Sequence, residues 1–261
     1  MKIALVSLNQ QWEDKEYNLN QCELYIKDAA TKNVDLIVFP EMTLTGFSLN
    51  TTSTGELERK SESVDGFQLL AKSFGIAIVF GVVFKYKDKA SNDLIFIDKD
   101  GEINAKYTKI HPFSFSGEDK LFNGGVAIGL GRLEGCNIGF TICYDLRFPE
   151  LYSALGKTSD IVINIANWPK KRIDHWRTLL KARAIENQLF SIGVNRTGRD
   201  GNGLEYEESS LVFDANGEPL SPLYNYKDMK VFDVDPEWTK EFRKTFSTTT
   251  DRKVTFYKEV L

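Results

Sequence analysis

Several short runs of the chain are apolar on consecutive positions rather than on alternate ones. They are "KIALVSL" (2–8), "VDLIVFP" (34–40), "IAIVFGVVFK" (76–85), "NDLIFID" (92–98), "IGFTIC" (138–143), "DIVINIAN" (160–167), "FSIGVN" (190–195) and "MKVFDVD" (229–235). A run of this length without alternation predicts a strand covered on both faces. Between the runs lie helical spacings. Residues 16–32 carry Leu19, Cys22, Ile26 and Ala29 on one face, which turns Cys22 to the core. Residues 65–75 and Pro149–Leu155 also read as helices. Residues 172–190 read as the longest helix, with Leu179, Ala182, Ile185 and Leu189 as its inward face. "DKDG" (98–101) is a hairpin signal leading into "EINAKYTKIHPF".

Apolar strands alternating with helices predict an α/β fold with helices laid on sheets. "IFIDKDGEI" (95–103) and "LVFDANGEP" (211–219) echo one another as strand, turn ending in Gly, and continuation. Two similar halves suit two sheets packed face to face with helices outside. No Pro/Ser-rich linker or charge run interrupts the chain, so residues 1–261 read as one domain.

Composition narrows the partners. At 42% hydrophobic and 27% charged, with net charge −4, the chain offers no basic field for nucleic acid or an anionic membrane, although a local basic pocket remains open. Three cysteines and two histidines, with no CxxC pair, suggest neither a disulfide framework nor a metal site. The apolar run at the N-terminus is too short for a signal core or a membrane span, so a cytoplasmic protein is expected.

Candidate chemistry gathers where strands end. Cys143 closes "IGFTIC" and precedes Pro149, so it sits where a strand turns towards a helix. It reads either as a buried apolar thiol or as a nucleophile near backbone N–H donors. Cys136, seven positions earlier, reads as structural. A nucleophilic thiol needs a base, and His111 and His175 are open to that role or to a structural one. Glu41 ends "LIVFPE", and Lys109 lies in "YTKIHPF". Singly, each reads equally as a surface charge. Together they offer a proton acceptor, an ammonium that lowers the thiol's pKa and steadies an oxyanion, and a sulfur that attacks an amide or nitrile carbon.

These segments resemble a known family. "FPEMTLTGF" (39–47), "YTKIHPF" with Glu118 beyond it, and "CYDLRFPE" (143–150) are similar to the Glu, Lys and Cys motifs of the nitrilase superfamily of carbon–nitrogen hydrolases. "NIANWP" (164–169) and "KARAIENQLF" (181–190) resemble two more of its segments, all in family order, and the combination resembles the bacterial ω-amidase branch. The resemblance implies a four-layer α-β-β-α sandwich and a homodimer. It implies Cys143 as nucleophile, Glu41 as general base, Lys109 as oxyanion stabiliser and Glu118 as the residue that positions lysine or substrate, with the Tyr144 N–H as a second oxyanion donor. It also implies a thioester route from the ω-amide of a dicarboxylate, such as 2-oxoglutaramate, to acid and ammonia, with no cofactor and no metal.

The small-molecule amide's free carboxylate needs a cation or N–H donors. Arg147, four residues past Cys143, is open to that role or to a structural ion pair behind the turn. Phe47, Phe113, Phe115 and Trp168 are open as pocket walls or as core. Arg183 and Glu186 read as a structural pair on the long helix.

Overall fold

The computed structural model describes residues 1–260. In chain order its strands and helices are β1 (Lys2–Val6), α1 (Lys15–Thr31), β2 (Leu36–Val38), α2 (Thr51–Thr54), α3 (Glu62–Phe74), β3 (Ala77–Lys85), β4 (Ala90–Ile97), β5 (Ile103–Thr108), α4 (Glu118–Leu121), β6 (Gly129–Leu133), β7 (Cys136–Ile142), α5 (Pro149–Leu155), β8 (Ile161–Ala166), α6 (Ile173–Asn187), β9 (Phe190–Asn195), β10 (Gly198–Arg199), β11 (Glu205–Tyr206), β12 (Leu211–Phe213), β13 (Tyr224–Tyr226), β14 (Met229–Asp233), α7 (Pro236–Thr245) and α8 (Val254–Val260).

The apolar runs become two sheets. One has the order β13-β14-β1-β2-β3-β4-β5, the other β12-β9-β8-β7-β6, and a small β10-β11 ribbon stands apart. Each sheet has a parallel centre, β1-β2-β3 and β7-β8-β9, flanked by antiparallel strands. Burial on both faces explains why the runs are apolar on consecutive positions. Ile3, Leu5, Val38 and Val79 point between the sheets, where they meet Ile138, Phe140, Ile163 and Ile192. Ala4, Val6, Ile37 and Ile78 point outward into a second core with Cys22, Ile26 and Phe67 of α1 and α3. The outer face of the other sheet packs Val162 and Ala166 against Leu151, Leu155, Trp176 and Leu180 of α5 and α6. The layers are therefore helix, sheet, sheet, helix.

The helix ends follow from local chemistry. The Ser61 side chain accepts from Val64 N at the start of α3, and Gly75 ends it at φ +63. The predicted echo is realised as one turn used twice. Asp98 Oδ1 accepts from the N–H groups of Asp100 and Glu102, and Asp214 Oδ1 accepts from those of Asn216 and Glu218. Only the first turn joins two full strands, β4 and β5.

Two expectations change. The helix predicted over 172–190 stops at Asn187, because Gln188 takes a left-handed conformation (φ +51). That leaves α1, at 17 residues, longer than α6, at 15. The inward face of α6 is Trp176, Leu180, Arg183, Ala184 and Asn187, while Ile185 is exposed. Two polar residues on the buried face mislead an apolar count. Arg183 is buried because its guanidinium donates to Leu146 O from Nε (3.1 Å) and Nη2 (2.8 Å), and it also pairs with Glu186 at 3.0 Å. Strand β6 and helices α7 and α8 lie outside the elements predicted from the pattern.

Candidate active site

Four strand ends converge between the sheets. Glu41 follows β2, Lys109 follows β5, Cys143 follows β7 and Asn167 follows β8. The turn carrying Glu41 is tightly built. Gln10 Nε2 donates to the carbonyls of Glu41, Met42 and Thr43 at 2.9–3.1 Å. Thr43 N donates to Gly81 O, and Gly81 N donates to Thr43 Oγ1. A Cβ on Gly81 would stand 2.4 Å from Met42 N, so β3 carries glycine where this turn crosses it.

The polar centre is buried and closely paired. Lys109, Glu41 and Glu118 are all buried. Lys109 Nζ donates to Glu41 Oε1 at 3.0 Å and to Glu118 Oε2 at 2.9 Å. Asn92 Nδ2, from β4, bridges the two carboxylates at 2.8 and 3.0 Å. Glu41 Oε2 accepts from Asn167 N at 2.9 Å, and Glu118 Oε2 from Phe113 N at 2.6 Å. Burial opposes the charge on Lys109, but Glu118 and then Glu41 outweigh it and raise its pKa above the ordinary value. The site therefore holds a fixed ammonium.

Cys143 adopts φ +46, a conformation that costs a non-glycine residue about 1–3 kcal/mol and persists only when its surroundings enforce it. It begins the short 3₁₀ turn Cys143–Arg147, which the Arg183–Leu146 bonds hold from below. Burial is the largest influence on the thiol and pushes its pKa well above the ordinary value. Glu41 adds to this push, and Lys109 opposes it without prevailing. This corrects the expectation of a thiol lowered by lysine.

A cleft of about 520 Å³ opens over Cys143 and Lys109. Tyr144, Arg147 and Trp168 line it, and Phe47 and Phe113 supply apolar wall. Phe115 does not line it. The 3₁₀ turn Ser114–Ser116 swings that ring outward, leaving it 86% exposed. Arg147 makes no ion pair among the described residues; it stacks over the Trp168 ring at 4.9 Å and lies 3.3 Å from His175 Nδ1. Arg172 is a second guanidinium in the cleft, set over the Phe113 ring at 5.7 Å and likewise without an acidic partner among the described residues. The pattern gave no reason to choose Arg172 from the basic "KKR" run, which reads as a solvated helix entry. Asn92 and Asn167 were also missed; their signal was a polar residue at the edge of an apolar strand. Among the described residues no acidic, histidine or cysteine cluster is arranged to hold a metal, and no helix is long and apolar enough to cross a membrane.

Two helix-backed sheets with this buried centre define a hydrolase of the nitrilase type. Residues 2–244 match the family model described as carbon-nitrogen hydrolase, and the chain belongs to that family. It is 34% identical to the omega-amidase YafV of Yersinia enterocolitica over 84% of this chain and 83% of the relative. It is 31% identical to the 2-oxoglutaramate amidase of Bacillus subtilis over 92% and 93%. The solved structure of XC1258 from Xanthomonas campestris, described as a CN-hydrolase superfamily protein with an arsenic adduct in the active site, superposes with a TM-score of 0.89 at 29% identity, covering 97% of each chain.

Proposed function

We propose that the protein hydrolyses the ω-amide of small dicarboxylate monoamides, such as 2-oxoglutaramate, to acid and ammonia through a thioester on Cys143. The observation that supports the chemistry is the buried Glu41–Lys109–Glu118 set at the cleft that Cys143 lines. Glu41 takes the thiol proton as sulfur bonds to the amide carbon. The carbonyl electrons move to oxygen, and Lys109 with the Tyr144 N–H holds the resulting oxyanion. Glu41 returns its proton to the nitrogen, ammonia leaves and the thioester forms. Glu41 then removes a proton from water as the water oxygen attacks the thioester. The second oxyanion collapses, sulfur leaves and regains a proton, and the acid departs. Proton transfer inside the site spares it a second uncompensated negative charge, which release to solvent would create beside two carboxylates. Glu118 and Asn92 keep Lys109 aimed throughout.

The cleft supports this substrate class. Arg147 and Arg172 are cations without carboxylate partners among the described residues, in a chain whose net charge is −4. A substrate carboxylate satisfies them, and guanidinium groups suit that pairing. The names of the relatives above support the same class. Residues 1–261 would act as one catalytic domain, as a cytoplasmic homodimer, as the family resemblance implies.

The test is ammonia release from 2-oxoglutaramate and succinamate, with product identification, against a panel of nitriles, N-carbamoyl compounds and uncharged amides. Cys143→Ala should abolish turnover. Unchanged turnover in that variant, or a preference for a nitrile or an uncharged amide, overturns the reading.

A further inference from the structure

The mechanism leaves unused a buried carboxylate that lies beside the nucleophile in the chain. Asp145 is fully buried, two residues past Cys143, and takes no part in the Lys109 cluster. Its oxygens accept four hydrogen bonds. Oδ1 accepts from His111 N at 3.0 Å and is 2.7 Å from His111 Nδ1. Oδ2 accepts from Tyr107 OH at 2.7 Å and from Ile142 N at 3.0 Å. A carboxylate oxygen accepts, so the His111 bond places a proton on Nδ1. The Tyr107 oxygen in turn accepts from Ile110 N at 3.3 Å.

Tyr107 and His111 stand two residues before and two residues after Lys109. Ile142 immediately precedes Cys143, and Asp145 follows it by two. One carboxylate thus grips the chain on both sides of the lysine and on both sides of the cysteine. The bond to Ile142 N closes the turn in which Cys143 holds φ +46. The His111 ring also stacks on Phe148 (3.7 Å between centroids, planes 10° apart), and Phe148 meets Tyr144 edge-on at 5.2 Å. Tyr144 is the residue whose N–H is assigned to the oxyanion.

We propose that Asp145 and His111 are positioning residues that fix the separation of the Lys109 ammonium from the Cys143 sulfur and hold the strained turn in its reactive form. They touch neither substrate nor reacting atoms. The proposal rests on the roles given above to Cys143 and Lys109. Its chemical logic is that a nucleophile and an oxyanion donor on different strands need a common anchor, because small misplacements of reacting groups cost rate steeply.

The experiment compares His111→Ala, His111→Asn and Tyr107→Phe with the unaltered protein. Each is assayed for kcat and KM on succinamate, for the rate of Cys143 alkylation by iodoacetamide, and for thermal midpoint. His111→Ala should lower kcat by about 10- to 100-fold, the range that one hydrogen bond to a charged group supplies, with KM unchanged. His111→Asn should recover most of that loss, because Asn Nδ2 reaches the position of the ring Nδ1. Tyr107→Phe, which keeps the ring and removes one bond, should lower kcat less than His111→Ala does. Alkylation should slow in the order of kcat. Wild-type kcat in His111→Ala overturns the proposal, as does a loss that His111→Asn fails to relieve and that tracks the thermal midpoint. Cys143→Ala separates the two levels: turnover surviving there defeats the mechanism, whereas an inactive Cys143→Ala beside a normal His111→Ala defeats the anchor alone.

Discussion

Replacing Glu41 with Gln separates proton transfer from thiol reactivity. The side chain keeps its size, but the site loses the group assigned to carry the proton. Glu41 Oε1 accepts from Lys109 and Asn92, and Oε2 from Asn167 N. An amide cannot match that pattern, because its NH₂ must face at least one of these donors. The mismatch leaves buried N–H groups facing each other, at a cost of about 1–3 kcal/mol. For a chain this long each kcal/mol lowers the thermal midpoint by roughly 2–4 °C. Loss of a general base costs about 10²- to 10⁴-fold in kcat. The thiol should respond oppositely. Burial holds its pKa high and the Glu41 charge raises it further, so removing that charge lowers the pKa and leaves more thiolate at a given pH. Iodoacetamide needs only the thiolate, and its rate should hold or rise as turnover collapses. Ammonia release and alkylation measured side by side between pH 7 and 9 test this. A Glu41→Gln enzyme whose turnover stays within about tenfold of wild type refutes the general-base assignment. Turnover and alkylation falling by one common factor would refute the electrostatic argument.

Other outcomes follow from single features of the structure. Arg147→Met and Arg172→Met should each lower kcat/KM on succinamate by about 10- to 100-fold and leave butyramide, which lacks the distal carboxylate, nearly unaffected; equal losses on both would assign the guanidiniums to the fold. Gly81→Ala should destabilise the protein by about 1–3 kcal/mol in chemical denaturation and lower kcat, since the new Cβ drives into the Glu41 turn; a variant normal in both would show that the turn yields freely. Cys136, pushed up to about 12 by burial and then by Asp160, is ionised earlier in the unfolded chain than in the fold. The unfolded state then binds fewer protons, so its contribution is complete below about pH 9 and is lost as pH rises towards 12. Cys136→Ala should flatten the fall of stability across that window, and an unchanged slope would contradict the shift.

Much of this architecture is legible in the chain because strands buried on both faces leave a plain mark. "FSIGVN" maps onto β9 and "PELYSAL" onto α5 without adjustment. What escaped is structure in which polar groups are buried. Arg183 and Asn187 turn the inward face of α6, and neither is apolar. Gln188 ends that helix in a conformation usually left to glycine or asparagine. The charged centre was readable because Glu41, Lys109 and Cys143 each end a strand, and the motif resemblance tied them together. Their supports were not readable. Asn92 lies 51 residues from Glu41, and Asp145 meets His111 across 34 positions, separations that no local pattern encodes. Phe113 precedes a three-residue turn and faces the cleft, whereas Phe115 sits in the middle of that turn and points outward. Arg172 enters the cleft because of the path from β8 into α6, not because of its neighbours in sequence.

The central claim is that Cys143 carries the acyl group. A single-turnover experiment with enzyme in excess over succinamate, quenched rapidly in acid, measures ammonia, succinate and acylated Cys143 peptide at each time. Ammonia should appear ahead of succinate, with the difference found as acyl group on Cys143. Ammonia and succinate appearing together, with every Cys143 unmodified, would contradict the thioester route.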